Sequence, residues 1–196
     1  MPVMSLSHIT FSYEKEHNII EDISMELYQG EILGLTGGNG TGKSTLLKIM
    51  AGFINGYTGE VYVSEEAAGH IACVIDKPSV FEEMSVKNNL IMMDKLSCMA
   101  AIDRELVEDM NLMPYMKTRA SHLSLGNKQK LALCLAINTE TRIAILDEPF
   151  NGLDSFAKAS LTKYLKKRAS EGMGIIITSH IPGDIDDICD RVVEIR

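Results

Sequence analysis

Apolar and polar positions alternate twice near the start of the chain. Ile9, Phe11 and Tyr13 share one phase, and Ile23, Met25 and Leu27 share another. A period of two residues predicts strands with one wet face. Gln29-Gly30 reads as a turn, after which residues 31–36 run apolar into a glycine-rich loop at 37–42. A helix is predicted over about 43–51. Three later runs, 71–75, 143–146 and 174–178, are short, β-branched and nearly continuous. Strands buried on both faces of a parallel sheet have this pattern. Helical periodicity lies between them, as in 156–169, and strands alternating with helices predict an α/β core. From about 77 to 138 the alternation stops, and helices are expected at roughly 86–96, 103–111 and 125–138. The expected organisation is one domain: 1–76 and 139–196 form the core with an N-terminal antiparallel β subdomain, and 77–138 form an inserted helical lobe.

Composition narrows the class. Hydrophobic residues make up 45% and charged residues 23% of the 196, as in ordinary globular chains. Lys and Arg number 19 against 27 Asp and Glu, for a net charge of −8. That balance argues against a nucleic-acid partner bound by bulk charge. The longest clean apolar run, 131–137, falls well short of the ~18 residues that span a bilayer and reads as a buried helix. The first sixteen residues lack a basic start followed by an apolar stretch, so no signal peptide is visible. Cys73, Cys98, Cys134 and Cys189 are too far apart for a metal knuckle or a redox dithiol, and are expected as small hydrophobes in a reducing compartment. The lobe is rich in methionine: Met84, Met92, Met93, Met99, Met110, Met113 and Met116. These residues suit irregular core filling or an adaptable partner surface. Lys163, Lys166, Lys167 and Arg168 read as the solvated end of a helix.

The loop Gly37-Gly38-Asn39-Gly40-Thr41-Gly42-Lys43-Ser44 fits the pattern G-x-x-x-x-G-K-[ST], with Thr45 following. A phosphate is bulky and anionic, so backbone N–H groups must come close to it, and glycine allows both that approach and a positive φ. The helix opening at Lys43 adds unpaired N–H groups and a positive dipole end. Lys43 supplies a mobile charge for β- and γ-phosphates, and the Ser44 hydroxyl can ligate Mg²⁺.

Residues 143–146 end in Asp147 and Glu148, and α/β sheets bind ligands at the carboxyl ends of such strands. Asp147 is placed to hold Mg²⁺, directly or through water. Glu148 would act on a water attacking the γ-phosphate, as base or orienting group. His180 follows the last apolar strand and can donate a hydrogen bond to the γ-phosphate; a structural histidine is the alternative.

In this order, the pieces resemble the ATP-binding subunit of an ABC transporter, over nearly the whole chain from Tyr13 to His180. The stretch Leu123-Ser124-Leu125-Gly126-Asn127-Lys128-Gln129-Lys130, with Ser124 placed 23 residues before Asp147, is similar to the family's signature motif. Ser124 also reads as a helix N-cap. The resemblance implies a P-loop NTPase fold, ATP and Mg²⁺ as ligands, and a head-to-tail dimer with itself or a similar subunit. In that dimer Ser124 and Gly126 of one copy would cover the nucleotide held by the other. It further implies that Tyr13, thirty residues before Lys43, stacks on adenine, with an edge-strand aromatic as the other reading. Asp154, in Asn151-Gly152-Leu153-Asp154, would reach across the dimer and cap the next helix.

Three positions depart from the family pattern. Asp76 stands where a Gln is usual; it can ligate a metal but cannot donate an amide hydrogen bond. Leu125 replaces a Gly, so that residue should not need a positive φ. Lys130 replaces the usual Arg and loses a bidentate fork. The acid at 76 and the Ser-Leu-Gly form of the signature resemble the branch that exports lantibiotics and related peptides or confers immunity to them. The chain ends sixteen residues after His180, which leaves no room for an accessory domain and weakly favours an exporter. The resemblance implies a separate transmembrane permease and a place on the inner face of the cell membrane. Two alternatives stay open: an ATPase of a cofactor-assembly system, and a nucleotide-dependent sensor with low turnover.

Overall fold

A computed structural model describes residues 1–14, 18–96, 101–180 and 185–195. The chain opens with β1 (Pro2–Phe11), β2 (Ile20–Tyr28), β3 (Ile32–Thr36), α1 (Lys43–Met50) and β4 (Thr58–Val63). Then come β5 (Ile71–Val74), α2 (Val86–Leu96), α3 (Arg104–Asp109), α4 (Leu125–Ala136) and β6 (Ile143–Leu146). It closes with α5 (Ser155–Ser170), β7 (Gly174–Ser179) and β8 (Arg191–Glu194).

Two sheets divide the strands. β2, β1 and β4 form an antiparallel sheet in that order, and β5-β6-β7-β3-β8 form a parallel one. Every residue of β3, β6 and β7 is buried, which is why their sequences run apolar without alternating. Leu33, Leu35, Ile145 and Ile176 face Leu46 and Leu47 of α1 in one apolar cluster. Ala144, Leu146, Ile175 and Ile177 join α4 and α5 in a second. This architecture is the expected P-loop NTPase fold, with the loop after β3 and the acids after β6 at the same end of the sheet.

The boundaries moved for local reasons. β1 stops at Phe11, so Tyr13 lies past the strand, exposed, its ring edge-on to Phe11 at 4.9 Å. α3 starts at Arg104 because Asp103 caps it, accepting from the Glu105 and Leu106 amides. α4 ends at Ala136, not 138: the Asn138 side chain accepts from the Glu140 amide and the Thr141 hydroxyl, a local turn that competes with the helix. β8 carries no strong sequence signal because it is a four-residue edge strand and mostly exposed.

The basic cluster on α5 requires a correction. Lys167 is half-exposed and pairs with Glu105, but Arg168 is buried. Its guanidinium bonds to the Tyr164 hydroxyl at 2.8 Å, to Asp103 at 3.3 Å, and to the carbonyls of Asn138, Thr139 and Thr141. These contacts tie α5 to the start of α3 and to the turn after α4. Among the cysteines, burial pushes the Cys73 thiol up to about 11 and Cys189 to about 12, with Cys134 higher still. Cys98 and Met99 lie outside the described residues. Met110 is buried, and Met93 and Met116 pack against the core, while Met113 is exposed.

Candidate nucleotide-binding site

The loop after β3 has glycine where side chains do not fit. A Cβ on Gly37 would lie 2.4 Å from the Ile195 carbonyl oxygen. Gly42, with φ +90°, caps α1 in a left-handed conformation, and a Cβ there would meet the Ile19 carbonyl at 2.8 Å. Lys43 is buried; its ammonium donates to the Gly37 and Gly38 carbonyls, each at 2.8 Å. Thr41 also donates to Gly38, at 3.0 Å. The Tyr13 and Thr45 hydroxyls lie 3.4 Å apart, which places the aromatic beside the first turn of α1.

Two residues 103 positions apart meet next. The Ser44 hydroxyl donates to Asp147 Oδ2 at 2.7 Å. Thr178, fully buried at the end of β7, donates to Asp147 Oδ1 at 2.5 Å and accepts from the Glu148 amide at 2.9 Å. Glu148 has a left-handed backbone, φ +47°, unusual for a residue of its type. Its carboxylate faces His180 Nδ1 at 2.8 Å through one oxygen and accepts from the Asn151 amide through the other. Ser44, Asp147, Thr178, Glu148 and His180 thus form one bonded chain beside the phosphate loop.

Thr178 is the site residue that the sequence pattern does not single out. Its signal was a polar residue inside the isoleucine run of β7. Substituting Val keeps the shape but leaves the Glu148 amide without its acceptor and Asp147 Oδ1 without the Thr178 donor, with Ser44 still bonded to Oδ2. Thr178→Val is expected to raise the Mg²⁺ concentration for half-maximal nucleotide binding roughly tenfold. Titration of Mg²⁺ at fixed nucleotide checks this; an unchanged midpoint would contradict it.

A cleft of about 700 Å³ lies between these bonded residues and α4. Ser44, Asp147 and Glu148 line one side, and Leu125 and Gln129 of α4 the other. Asp76 lines it too, with φ +63° and its carboxylate paired to Lys48 at 2.7 Å.

The signature segment is held from within the same chain. Ser124 caps α4, its hydroxyl accepting from the Asn127 amide at 3.3 Å. Leu125 follows in ordinary helical backbone, strongly exposed. A Cβ on Gly126 would fall 2.2 Å from the Gly152 carbonyl oxygen, so the helix start and the 151–154 loop touch through glycine. Lys130 is buried and donates to Asp154 at 2.9 Å, while Asp154 caps α5 by accepting from the Ala157 amide at 2.8 Å. The bond to Lys130, then that to the Ala157 amide, holds the Asp154 carboxyl below the usual range.

The donor set suits magnesium bound together with phosphates. Mg²⁺ at such sites takes one or two protein oxygens and draws the rest from phosphate and water. One hydroxyl and one carboxylate already 2.7 Å apart match that need. Among the described residues, no cluster of three or more His, Cys, Asp or Glu could hold an ion by itself.

The family model for the ABC transporter matches residues 20–151, and the chain belongs to that family. It is 31% identical over 189 residues to the uncharacterized ABC transporter ATP-binding protein YdbJ of Bacillus subtilis, covering 91% of this chain and 61% of that one. An uncharacterized ABC transporter ATP-binding protein of Methanocaldococcus jannaschii is 32% identical, covering 100% of this chain and 74% of its own length. The lantibiotic transport ATP-binding protein SrtF of Streptococcus pyogenes is 28% identical, covering 97% and 85% respectively. A solved ATP-binding subunit of an ABC transporter superposes with a TM-score of 0.87 at 25% identity, over 99% of this chain and 86% of that one. The chain therefore spans about three fifths of YdbJ and most of SrtF. No helix among the described residues is long and apolar enough to cross a membrane.

Proposed function

We propose that this chain is the ATP-hydrolysing motor subunit of an ABC exporter. The observation that carries the reading is the bonded chain from Ser44 to His180 set beside the buried Lys43. Lys43 would exchange the Gly37 and Gly38 carbonyls for β- and γ-phosphate oxygens, and the loop amides of residues 38–44 would close on the same phosphates. Ser44 and Asp147 would hold Mg²⁺, which when bound neutralises charge developing on the phosphates. Glu148 then orients the attacking water and takes up its proton, and His180 aligns the Glu148 carboxylate through Nδ1, with Nε2 as the nitrogen for the γ-phosphate. Tyr13 stacks on adenine.

The second half of each site comes from another copy. Ser124 and Gly126, at the N-terminus of α4, cover the γ-phosphate held by the partner. Asp154, already tied to Lys130, travels with them, because Gly126 and Gly152 leave no slack between the two segments. ATP binding joins the copies, hydrolysis separates them, and the cycle drives a transmembrane permease on the inner face of the membrane. The likeness to SrtF, named for lantibiotic transport, supports an exporter of such peptides.

Affinity purification of the tagged chain from detergent-solubilised membranes tests this reading. The expected result is co-purification of a membrane-spanning polypeptide, with phosphate released from ATP by the complex. A chain that leaves the membranes alone and releases no phosphate contradicts it.

A further inference from the structure

We propose that Lys48 is a positioning residue of the nucleotide cleft: it holds the Asp76 carboxylate as a neutral pair, so that an acid can stand at the cleft without repelling a triphosphate. This inference rests on the reading of the cleft as the MgATP site.

Four observations point the same way. Lys48 Nζ lies 2.7 Å from Asp76 Oδ2, with the lysine only 29% and the acid 52% exposed. Lys48 sits four positions after Ser44, one turn along the same face of α1. It reaches the cleft wall through its contact with Asp76, which lines the cleft together with Ser44. Asp76 has a left-handed backbone, φ +63°, a conformation that Asp adopts more readily than Gln. Finally, the cleft is rich in acid. Asp76, Glu82, Asp147 and Glu148 all line it. Glu82 pairs with Lys128 at 2.6 Å, and Glu148 with His180 at 2.8 Å, while Asp147 is held by the Ser44 and Thr178 hydroxyls. An uncompensated Asp76 would add one more full negative charge to the wall that receives the phosphates. The bond to Asp76 shifts the Lys48 ammonium above the ordinary lysine value.

The assignment differs from a metal-ligand role for Asp76. A carboxylate engaged by an ammonium is less free to coordinate Mg²⁺, and the Ser44–Asp147 pair supplies the protein oxygens without it. The family resemblance places a neutral Gln at this position; here neutrality comes from two charges.

A double-mutant cycle on the full chain tests the proposal, with MgATP and MgADP affinities read by calorimetry. Lys48→Met is expected to weaken MgATP about tenfold, through the charge it uncovers. In the Asp76→Asn background the same substitution should change the affinity less than twofold. MgADP, with less charge at that end, should lose less than MgATP in the single variant. Lys48→Arg, which keeps the cation, should recover most of the affinity, and this separates a charge effect from misfolding. Equal losses in both backgrounds, no loss in either, or tighter MgATP binding by Lys48→Met would each overturn the proposal. If the unaltered chain fails to bind MgATP, the reading of the cleft fails instead.

Discussion

Glu148→Gln is expected to lower ATP turnover at least a hundredfold and to leave an ATP-bound dimer in solution. Gln has nearly the shape of Glu, so the backbone at φ +47° and its amide bond to Thr178 are undisturbed. Two things are lost. An amide cannot take up a proton from water, and removal of a general base typically costs ~10²–10⁴ in rate. The amide also cannot accept from both His180 and Asn151 as the two carboxylate oxygens do. Lys43 and the loop amides, the proposed phosphate-holding groups, are untouched, so nucleotide should stay bound and the copies should have no signal to part. Light scattering with MgATP should then report twice the 21.6 kDa of one chain. A variant with unchanged turnover, or one that stays at a single chain's mass with nucleotide bound, would contradict this role for Glu148.

Arg168→Leu is the largest expected loss of stability. The guanidinium is buried and donates hydrogen bonds to five oxygens, and its removal leaves Oδ2 of Asp103, a side chain only 16% exposed, with the Tyr164 hydroxyl, while Oδ1 keeps the Glu105 and Leu106 amides. Three backbone carbonyls each lose a donor as well, of which the Asn138 carbonyl keeps the Thr141 amide. Breaking a buried pair in this way costs about 3–5 kcal/mol. For a chain of this size each kcal/mol moves the melting temperature by roughly 2–4 °C, so a fall of about 10 °C is expected. Arg168→Lys should recover only part of it, because a single ammonium cannot reach Asp103 and the carbonyls together. A shift under 2 °C in a calorimetric melt would contradict the account.

Arg168 also marks where sequence pattern stops being informative. A cluster of four basic residues at a helix end looks solvated, since the chain gives no hint that Asp103, 65 positions away, lies opposite. The buried strands were legible because their apolar runs need no knowledge of partners: 143–146 matches β6 residue for residue. The glycine-rich loop was legible because G-x-x-x-x-G-K-[ST] is a contiguous motif, whereas the close approach of Ile195 to Gly37 and of Ile19 to Gly42 was not. Ser44 and Asp147 were named as neighbours of one metal from residue chemistry, and their oxygens meet at 2.7 Å. Thr178, Lys48 and the contact of Gly126 with Gly152 were not legible, because each depends on what tertiary folding places across from it. β8 escaped because an exposed edge strand has no buried face to impose a period.

The central claim is that Lys43, Ser44, Asp147 and Glu148 converge on one magnesium-bound triphosphate. Calorimetric titration of MgATP into the unaltered chain tests it most directly, with Lys43→Ala and Ser44→Ala beside it. The account predicts saturable binding at one site per chain, weakened at least tenfold by Lys43→Ala, and weakened by Ser44→Ala only when Mg²⁺ is present. Absence of heat in the unaltered chain, or binding indifferent to both substitutions, would contradict it.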